Sequence, residues 1–248
     1  MYNEVKYLYC GECGIVMEFA NEIDKNVNAK IRSIVDYIDN DKLDYIIDIL
    51  PTYRSILIQY DALKISYDEL IKKLKTYENM STSSQDETVR LIKIPTVYAK
   101  EYGPDIEFVA NHNNITVDEV INIHTSTDYL VYMLGFIPGF TYLGGMSEKI
   151  ATPRLESPRL QIYPGSVGIA GKQTGMYPSM SPGGWRIIGR TPLKLYNPDS
   201  DTPVYISSGD YVRYVSISEE EYNEILKKVE NNEYKLNIRK IKRGELNA

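Results

Sequence analysis

The sequence predicts a chain of two parts, an α+β unit followed by a mostly β unit, and three observations predict it. Through the N-terminal third, apolar residues recur with alternating and then helical spacing. A polar, serine-rich stretch, "ENMSTSSQDE", interrupts that pattern and sets a boundary near residue 85. Later, the chain becomes short apolar runs broken by glycine and proline about every eight to twelve residues, the pattern of a closed or sandwiched β architecture.

In the first part, residues 5–9 and 15–20 alternate as two strands joined through Gly11 and Gly14. Val27, Ile31, Ile34, Val35 and Ile38 mark one apolar helix face. "LDYIIDIL" and "SILIQY" read as the next two strands, with "PTYR" between them. Ser66 followed by Glu69 is a capping-box signature, and the helix it opens carries Leu70, Ile71, Leu74 and Tyr77 on one side. With "TVRLIKI" as a final strand, the order is that of a ferredoxin-like α+β unit.

The second part opens with two short helices, Asp105 to Ala110 and "TVDEVINIHT", the latter capped by Thr116 with Glu119. "DYLVYML" follows as a strand with helix-compatible spacing. Next comes "GFIPGFTYLGG", too rich in glycine and proline for a helix or a central strand. That stretch is either a tight loop or a place where backbone approaches something closely. The strands "RLQIYP", "SVGIAG", "GMYP", "WRIIGR", "KLYN", "PVYIS" and "DYVRYVSI" complete the β part, and residues 219–230 resume a helical pattern.

The 248 residues are 43% hydrophobic and 25% charged, the composition of a globular chain able to bury a sizeable core. A net charge of -6 and a pI near 5.2 argue against nucleic acid as a partner, since its footprint is a basic patch. The basic cluster "KIKRGEL" reads as a solvated tail. No apolar run reaches membrane-spanning length and "MYNEVKYLYCGEC" does not read as a signal peptide, so no membrane role and a cytoplasmic location are expected. Cys10 and Cys13 form a C-x-x-C in a hairpin turn rather than at a helix start. They read as turn cysteines, with a redox or metal role as the alternative.

The chemistry-bearing residues concentrate between 124 and 190. His124, at the end of the second short helix, suits a general acid or base, or a helix-end residue bonding the last carbonyls. His112, in the polar turn "ANHNN", reads as surface. Two histidines so placed argue against a histidine-rich metal centre, while a carboxylate-only magnesium site stays open. Arg154, Arg159 and Arg190 suit planar carboxylates or phosphates as a cluster, or surface pairing with Glu156 and its neighbours. Gln173, Thr174 and Tyr177 are neutral donors beside glycines, and Trp185 suits either stacking on a planar ligand or capping the core. No Walker A loop, dinucleotide fingerprint or G-x-S-x-G elbow is present.

The blocks "YMLGFIPGFTYLGG", "TPRLESPRLQIYPGSVGIAGKQTGMYPSMSPGGWRIIGRTPLKL" and "SSGDYVRY", with "GECGIVMEF" and "YRSILIQYD" before them, resemble the family of the 5-oxoprolinase B component. That family also takes in the first subunit or domain of allophanate-hydrolase-type proteins and an inhibitor of a sporulation histidine kinase. The likeness covers residues 5–218. It implies a small α+β domain over 1–85 and a cyclophilin-like closed β-barrel over 86–218; beyond the likeness, residues 219–248 read as a helical or flexible extension. The implied activity is that of the B component of an ATP-dependent 5-oxoprolinase, which opens 5-oxo-L-proline to L-glutamate with A and C subunits and uses ATP with Mg2+ in the assembled complex. The alternatives it leaves are an inhibitor docked on a sensor histidine kinase and an allophanate hydrolase subunit. A homodimer stays open.

Onto this sequence the resemblance carries His124 as proton shuttle, Arg154 or Arg159 as anion clamp, and Gln173 with Tyr177 for lactam or carboxylate recognition. Gly144, Gly145, Gly171 and Gly175 would admit a ligand to the backbone, and Ser181 to Trp185 with Arg190 complete the set; no metal ligand is assigned. Three departures are "SSGDYVRY" without the family's usual proline, the extension beyond Ile217, and "CGEC" in a turn commonly free of cysteine.

Overall fold

The computed structural model describes residues 1–78 and 88–247, which fall in two units, Met1–Glu87 and Thr88–Ala248. The serine-rich stretch and the boundary expected near residue 85 lie outside the described residues, except for Glu78.

In the first unit, β1 (Lys6–Tyr9) and β2 (Gly14–Glu18) form a hairpin, followed by α1 (Lys25–Asp41), β3 (Ile46–Pro51), β4 (Ser55–Tyr60) and α2 (Tyr67–Glu78). The sheet order is β1-β2-β4-β3, antiparallel throughout. Asp24 starts α1 by accepting from the N–H groups of Asn26 and Val27 at 2.8 and 3.0 Å, satisfying donors that the helix leaves orphaned. At the start of α2, the Ser66 N–H donates to the Glu69 carboxylate at 3.1 Å, the reciprocal bond of a capping box. Val27, Ile31, Ile34 and Ile38 of α1 then meet Leu70, Leu74 and Tyr77 of α2 over Ile15, Met17, Ile56 and Ile58 of the sheet, all fully buried or nearly so. The α+β layering follows from these two periodicities. One strand differs from expectation. "TVRLIKI" does not complete this sheet, because β1 takes the edge of β2 through the tight Cys10–Gly14 turn.

In the second unit "TVRLIKI" begins β5 (Thr88–Thr96), followed by α3 (Ile106–His112), α4 (Val117–Thr125), β6 (Tyr129–Leu134) and β7 (Thr141–Gly144). Then come β8 (Arg159–Ile162), β9 (Ser166–Ala170), β10 (Gln173–Met176), β11 (Ser181–Gly183), β12 (Arg186–Arg190), β13 (Tyr211–Ser216), α5 (Glu219–Glu230) and β14 (Ile238–Lys242). They form a five-stranded sheet, β14-β5-β13-β6-β7, a three-stranded sheet, β10-β9-β12, and a pair, β11-β8. The five-stranded sheet is mixed, since β5 and β13 run parallel.

The cyclophilin-like closed barrel expected for this part is not what forms: among the described residues no sheet closes on itself. The ladders are interrupted instead, with register shifts at Val131/Met133, Ser181/Gly183 and Ile187/Gly189. A bridge between Val97 and Arg190, 2.9 Å in each direction, joins the chain just past β5 to the end of β12. On its other side β5 is covered by β14. Ile92, Ile94, Val131, Val167, Ile169, Val212 and Tyr214 fill the core between these sheets, with Val109 and Val120 from α3 and α4.

The C-terminal extension is ordered into this unit. Ser218 and Glu221 cap α5, and the last residues are tied down at Asp128, fully buried, which receives the Arg213 guanidinium and the Asn247 N–H at 2.9 Å. No helix among the described residues is long and apolar enough to cross a membrane.

Candidate functional site

The glycine-rich stretch after β6 is a turn that reverses the chain and aims one aromatic ring inward. The Gly135 N–H donates to the Phe140 carbonyl at 3.2 Å and the Phe140 N–H to the Ile137 carbonyl at 3.0 Å. Phe140, 2% exposed, then meets Tyr177 and Trp185 edge-on, with centroids 5.4 and 5.5 Å away. Ile162, Ala170 and Ile187 complete this small cluster, separate from the main core.

Beside it opens a cleft of about 330 Å³. Phe140, Tyr142, Tyr177 and Trp185 supply aromatic wall, Phe136 and Arg154 join them, and Pro158 with the Pro182–Gly184 backbone completes the lining. Gly183 is there by necessity. A Cβ at that position would lie 2.4 Å from the Tyr177 hydroxyl oxygen and 2.8 Å from Ile162, so the tyrosine reaches the cleft only past a bare backbone.

Two guanidinium groups bear on Tyr177, and they are used differently. Arg154 is exposed, and among the described residues no hydrogen bond or ion pair holds it. Arg159 is committed: it donates to Asp105 at 2.9 Å and to the Trp185 carbonyl at 3.3 Å. Asp105 is itself 7% exposed and takes the Ile187 N–H at 2.7 Å on its other oxygen. Arg159 and Asp105 therefore brace the Trp185 wall from behind. Burial pushes the Tyr177 phenol up to about 12, against the pull of Arg154, the Trp185 backbone and Arg159. At neutral pH it is a hydrogen-bond donor, not a base.

The other expected site residues lie elsewhere. His124 is fully buried, with Nδ1 2.7 Å from the Tyr98 hydroxyl, Nε2 2.8 Å from Thr174 Oγ1, and its ring stacked on Tyr214 at 4.3 Å. Burial lowers its pKa to about 3, so it is a neutral imidazole inside the core with both nitrogens engaged. Gln173 begins β10 opposite Ala170 and does not line the cleft. Arg190 lies over the rings of Tyr102 and Tyr163, 5.6 and 5.0 Å from their centroids. Gly144 and Gly175 are packed close, the first against the Tyr132 ring and the second against the Thr141 carbonyl and Trp185. Gly145 and Gly171 sit just after β7 and between β9 and β10.

Of the residues read from the sequence, the structure thus brings together Arg154, Tyr177, Trp185 and Pro182–Gly184, with Arg159 one layer behind and Ser181, at the start of β11, outside the lining. Phe136, Phe140, Tyr142 and Pro158 were not foreseen as site residues. The signal for the first three lay in "GFIPGFTY", where aromatic residues alternate with backbone freedom. The cleft presents the Arg154 guanidinium beside the Tyr142 and Tyr177 phenols and flat aromatic walls, a lining with the chemistry for a planar group and a carboxylate. It holds no imidazole or carboxylate among its lining residues, so it offers no base at neutral pH.

The carboxyltransferase domain family, subdomain C and D, matches residues 5–206. The chain is 41% identical over 224 residues to the B component of the 5-oxoprolinase of Bacillus subtilis (strain 168), covering 86% of this chain and 93% of that protein. The chain belongs to the family of the 5-oxoprolinase B component. A more distant likeness runs to the urea amidolyase of Saccharomyces cerevisiae, 25% identical over 271 residues, 96% of this chain but 14% of that protein. Among solved structures, a conserved uncharacterized protein of Pyrococcus horikoshii, PH0987, is 46% identical with a TM-score of 0.53, covering 88% of this chain and all of that one. Three segments build the cleft: "GFIPGFTY" supplies Phe136, Phe140 and Tyr142, "TPRLESPR" supplies Arg154 and Pro158, and "SPGGW" supplies Pro182 to Trp185.

Proposed function

We propose that this chain is the B component of an ATP-dependent 5-oxoprolinase, binding 5-oxo-L-proline for ring opening to L-glutamate in company with A and C subunits. The observation that carries this reading is the free Arg154 guanidinium in one cleft with the Tyr177 phenol and the Phe140 and Trp185 rings. Arg154 takes the substrate carboxylate through its two-pronged donor face. The flat lactam packs against the aromatic wall, and the Tyr177 hydroxyl donates to the lactam carbonyl, drawing charge toward oxygen. Amide resonance makes that carbonyl a poor electrophile, and a neutral phenol alone does not overcome it. The activating chemistry therefore comes from outside the cleft.

Mg2+ with ATP does not fit this lining. It presents one cation for a triphosphate and no carboxylate for the metal, and among the described residues no cluster of His, Cys, Asp and Glu is placed to hold a metal. We assign the nucleotide to the partner subunits. A ureido carboxylate such as allophanate has the same planar amide and carboxylate, and the likeness to urea amidolyase favours including it as a competitor.

Trp185 is the one tryptophan of the chain and lines the cleft, so its fluorescence reports occupancy directly. Saturable quenching by 5-oxo-L-proline, lost in Arg154→Ala, is the expected result. ATP-dependent glutamate release by the chain with its A and C partners is expected to vanish in the same variant. Equal binding by wild type and Arg154→Ala would remove the basis of the proposal, and stronger binding of allophanate would redirect it to the ureido reading.

A further inference from the structure

Phe136 breaks two ordinary rules at once. Its φ of +68° is in the left-handed region, where an aromatic residue's Cβ crowds the neighbouring carbonyl. The residue is also 64% exposed, so burial does not reward the strain. The turn holds it there: beside the bonds at Gly135 and Phe140, the Ile137 N–H reaches back across Phe136 to the Gly135 carbonyl at 2.9 Å. Glycines at 135 and 139 flank the position, and a third at 136 would adopt this φ without cost. Backbone strain that persists under such over-determination concentrates at ligand sites.

The surroundings supply the reason. The Phe136 ring stands edge-on to Phe140, 5.7 Å away at 83°, and lines the same cleft as Arg154 and Trp185. Phe140 is buried against Tyr177 and Trp185, whereas Phe136 stays mostly exposed. We infer that Phe136 is a specificity-determining residue, held left-handed so that its ring closes on the face of a five-membered lactam whose carboxylate Arg154 binds. This rests on the cleft reading proposed above. A lactam has a flat amide face to stack; L-glutamate, its open form, has none. Phe136 is thus placed to make the cleft prefer the ring over the opened product.

The test titrates the full chain with three probes, 5-oxo-L-proline, 2-pyrrolidinone and L-glutamate, following Trp185 fluorescence, in wild type, Phe136→Gly, Phe136→Ala and Arg154→Ala. Phe136→Gly is expected to weaken 5-oxo-L-proline and 2-pyrrolidinone about tenfold, the size of an aromatic contact, with glutamate little changed. Arg154→Ala is expected to weaken 5-oxo-L-proline but not 2-pyrrolidinone, which lacks the carboxylate. In thermal unfolding, Phe136→Gly is expected about 2–4 °C above Phe136→Ala, because only glycine relieves the left-handed strain. A Phe136→Gly chain with the wild-type ratio of lactam to glutamate affinity would overturn the specificity role. Phe136→Ala at or above the stability of Phe136→Gly would overturn the strain. A wild-type chain that binds none of the probes sinks the lactam reading, and the stacking role with it, while the thermal comparison still judges the strain.

Discussion

Among the described residues, an arginine without a partner and a histidine with two are opposite solutions to the same electrostatic problem. Arg154 stays exposed, where water carries the cost of its charge. His124 is sealed in the core, where charging it would strand a cation, so its pKa falls to about 3. The consequence for stability has a definite sign. The unfolded imidazole titrates near 6.5 and the folded one near 3, so below about 6.5 the unfolded chain binds a proton that the folded chain refuses. Stability is full above that value and falls by roughly 1.4 kcal/mol per pH unit as pH drops toward 3. Urea midpoints between about pH 6 and about pH 4 measure it; His124→Gln is expected to flatten the slope over that window, and an unchanged slope would assign it to other groups. The sequence carried a hint of this burial. Val120 and His124 are four residues apart on α4 and share its buried face, a spacing that marks core more often than chemistry. Arg154 had no comparable marker separating it from Arg159, because burial of the partner Asp105 is decided by residues far off in the chain.

Elements were legible where the signal is local. The caps read at Ser66 and Thr116 bond the first turns they precede, as Asp24 and Ser218 also do, and the periodicities of α1 and α2 point their buried faces correctly. In α2, Leu74→Ala removes a fully buried side chain and is expected to cost about 2–5 kcal/mol in denaturant unfolding, whereas exposed Lys72→Ala is expected within about 0.5 kcal/mol. Strand partnership was not legible. β5 reads as the end of the first sheet, and what places it in the second is a parallel partner, β13, more than a hundred residues later. The absent barrel has the same origin, since a bulge or glycine that bends a ladder looks, in one dimension, like one that ends it. The extension shows the reverse case, a segment with weak local pattern that gains its order by pairing. Ending the chain after Glu230 is expected to bare the β5 edge and so lower the unfolding midpoint and promote self-association. Sedimentation at rising concentration measures the second effect, and a truncated chain that remains monomeric and fully stable would show that β14 contributes little.

For the molecule as a whole, the cleft and the activity proposed for it divide along the pH axis. The charge the cleft offers a ligand is fixed across the physiological range: a guanidinium is a permanent cation there, and Tyr177, pushed up to about 12, stays a phenol. The substrate carboxylate, with an ordinary pKa near 3.5, stays ionised over the same range. Binding of 5-oxo-L-proline to this chain alone should therefore be flat from about pH 6 to about pH 9. Turnover by the assembled complex must still move protons, as water adds and the lactam nitrogen leaves, and a chain whose cleft has no base at neutral pH cannot set those limbs. The expected result is a flat dissociation constant for this chain beside a bell-shaped rate profile for the complex. Tyr177→Phe should lower the height of that bell, through the lost hydrogen bond to the carbonyl, without displacing either limb. A limb that moves in Tyr177→Phe, or a dissociation constant that follows the rate, would place a titrating group of this chain in the reaction and return the search for a base to this cleft.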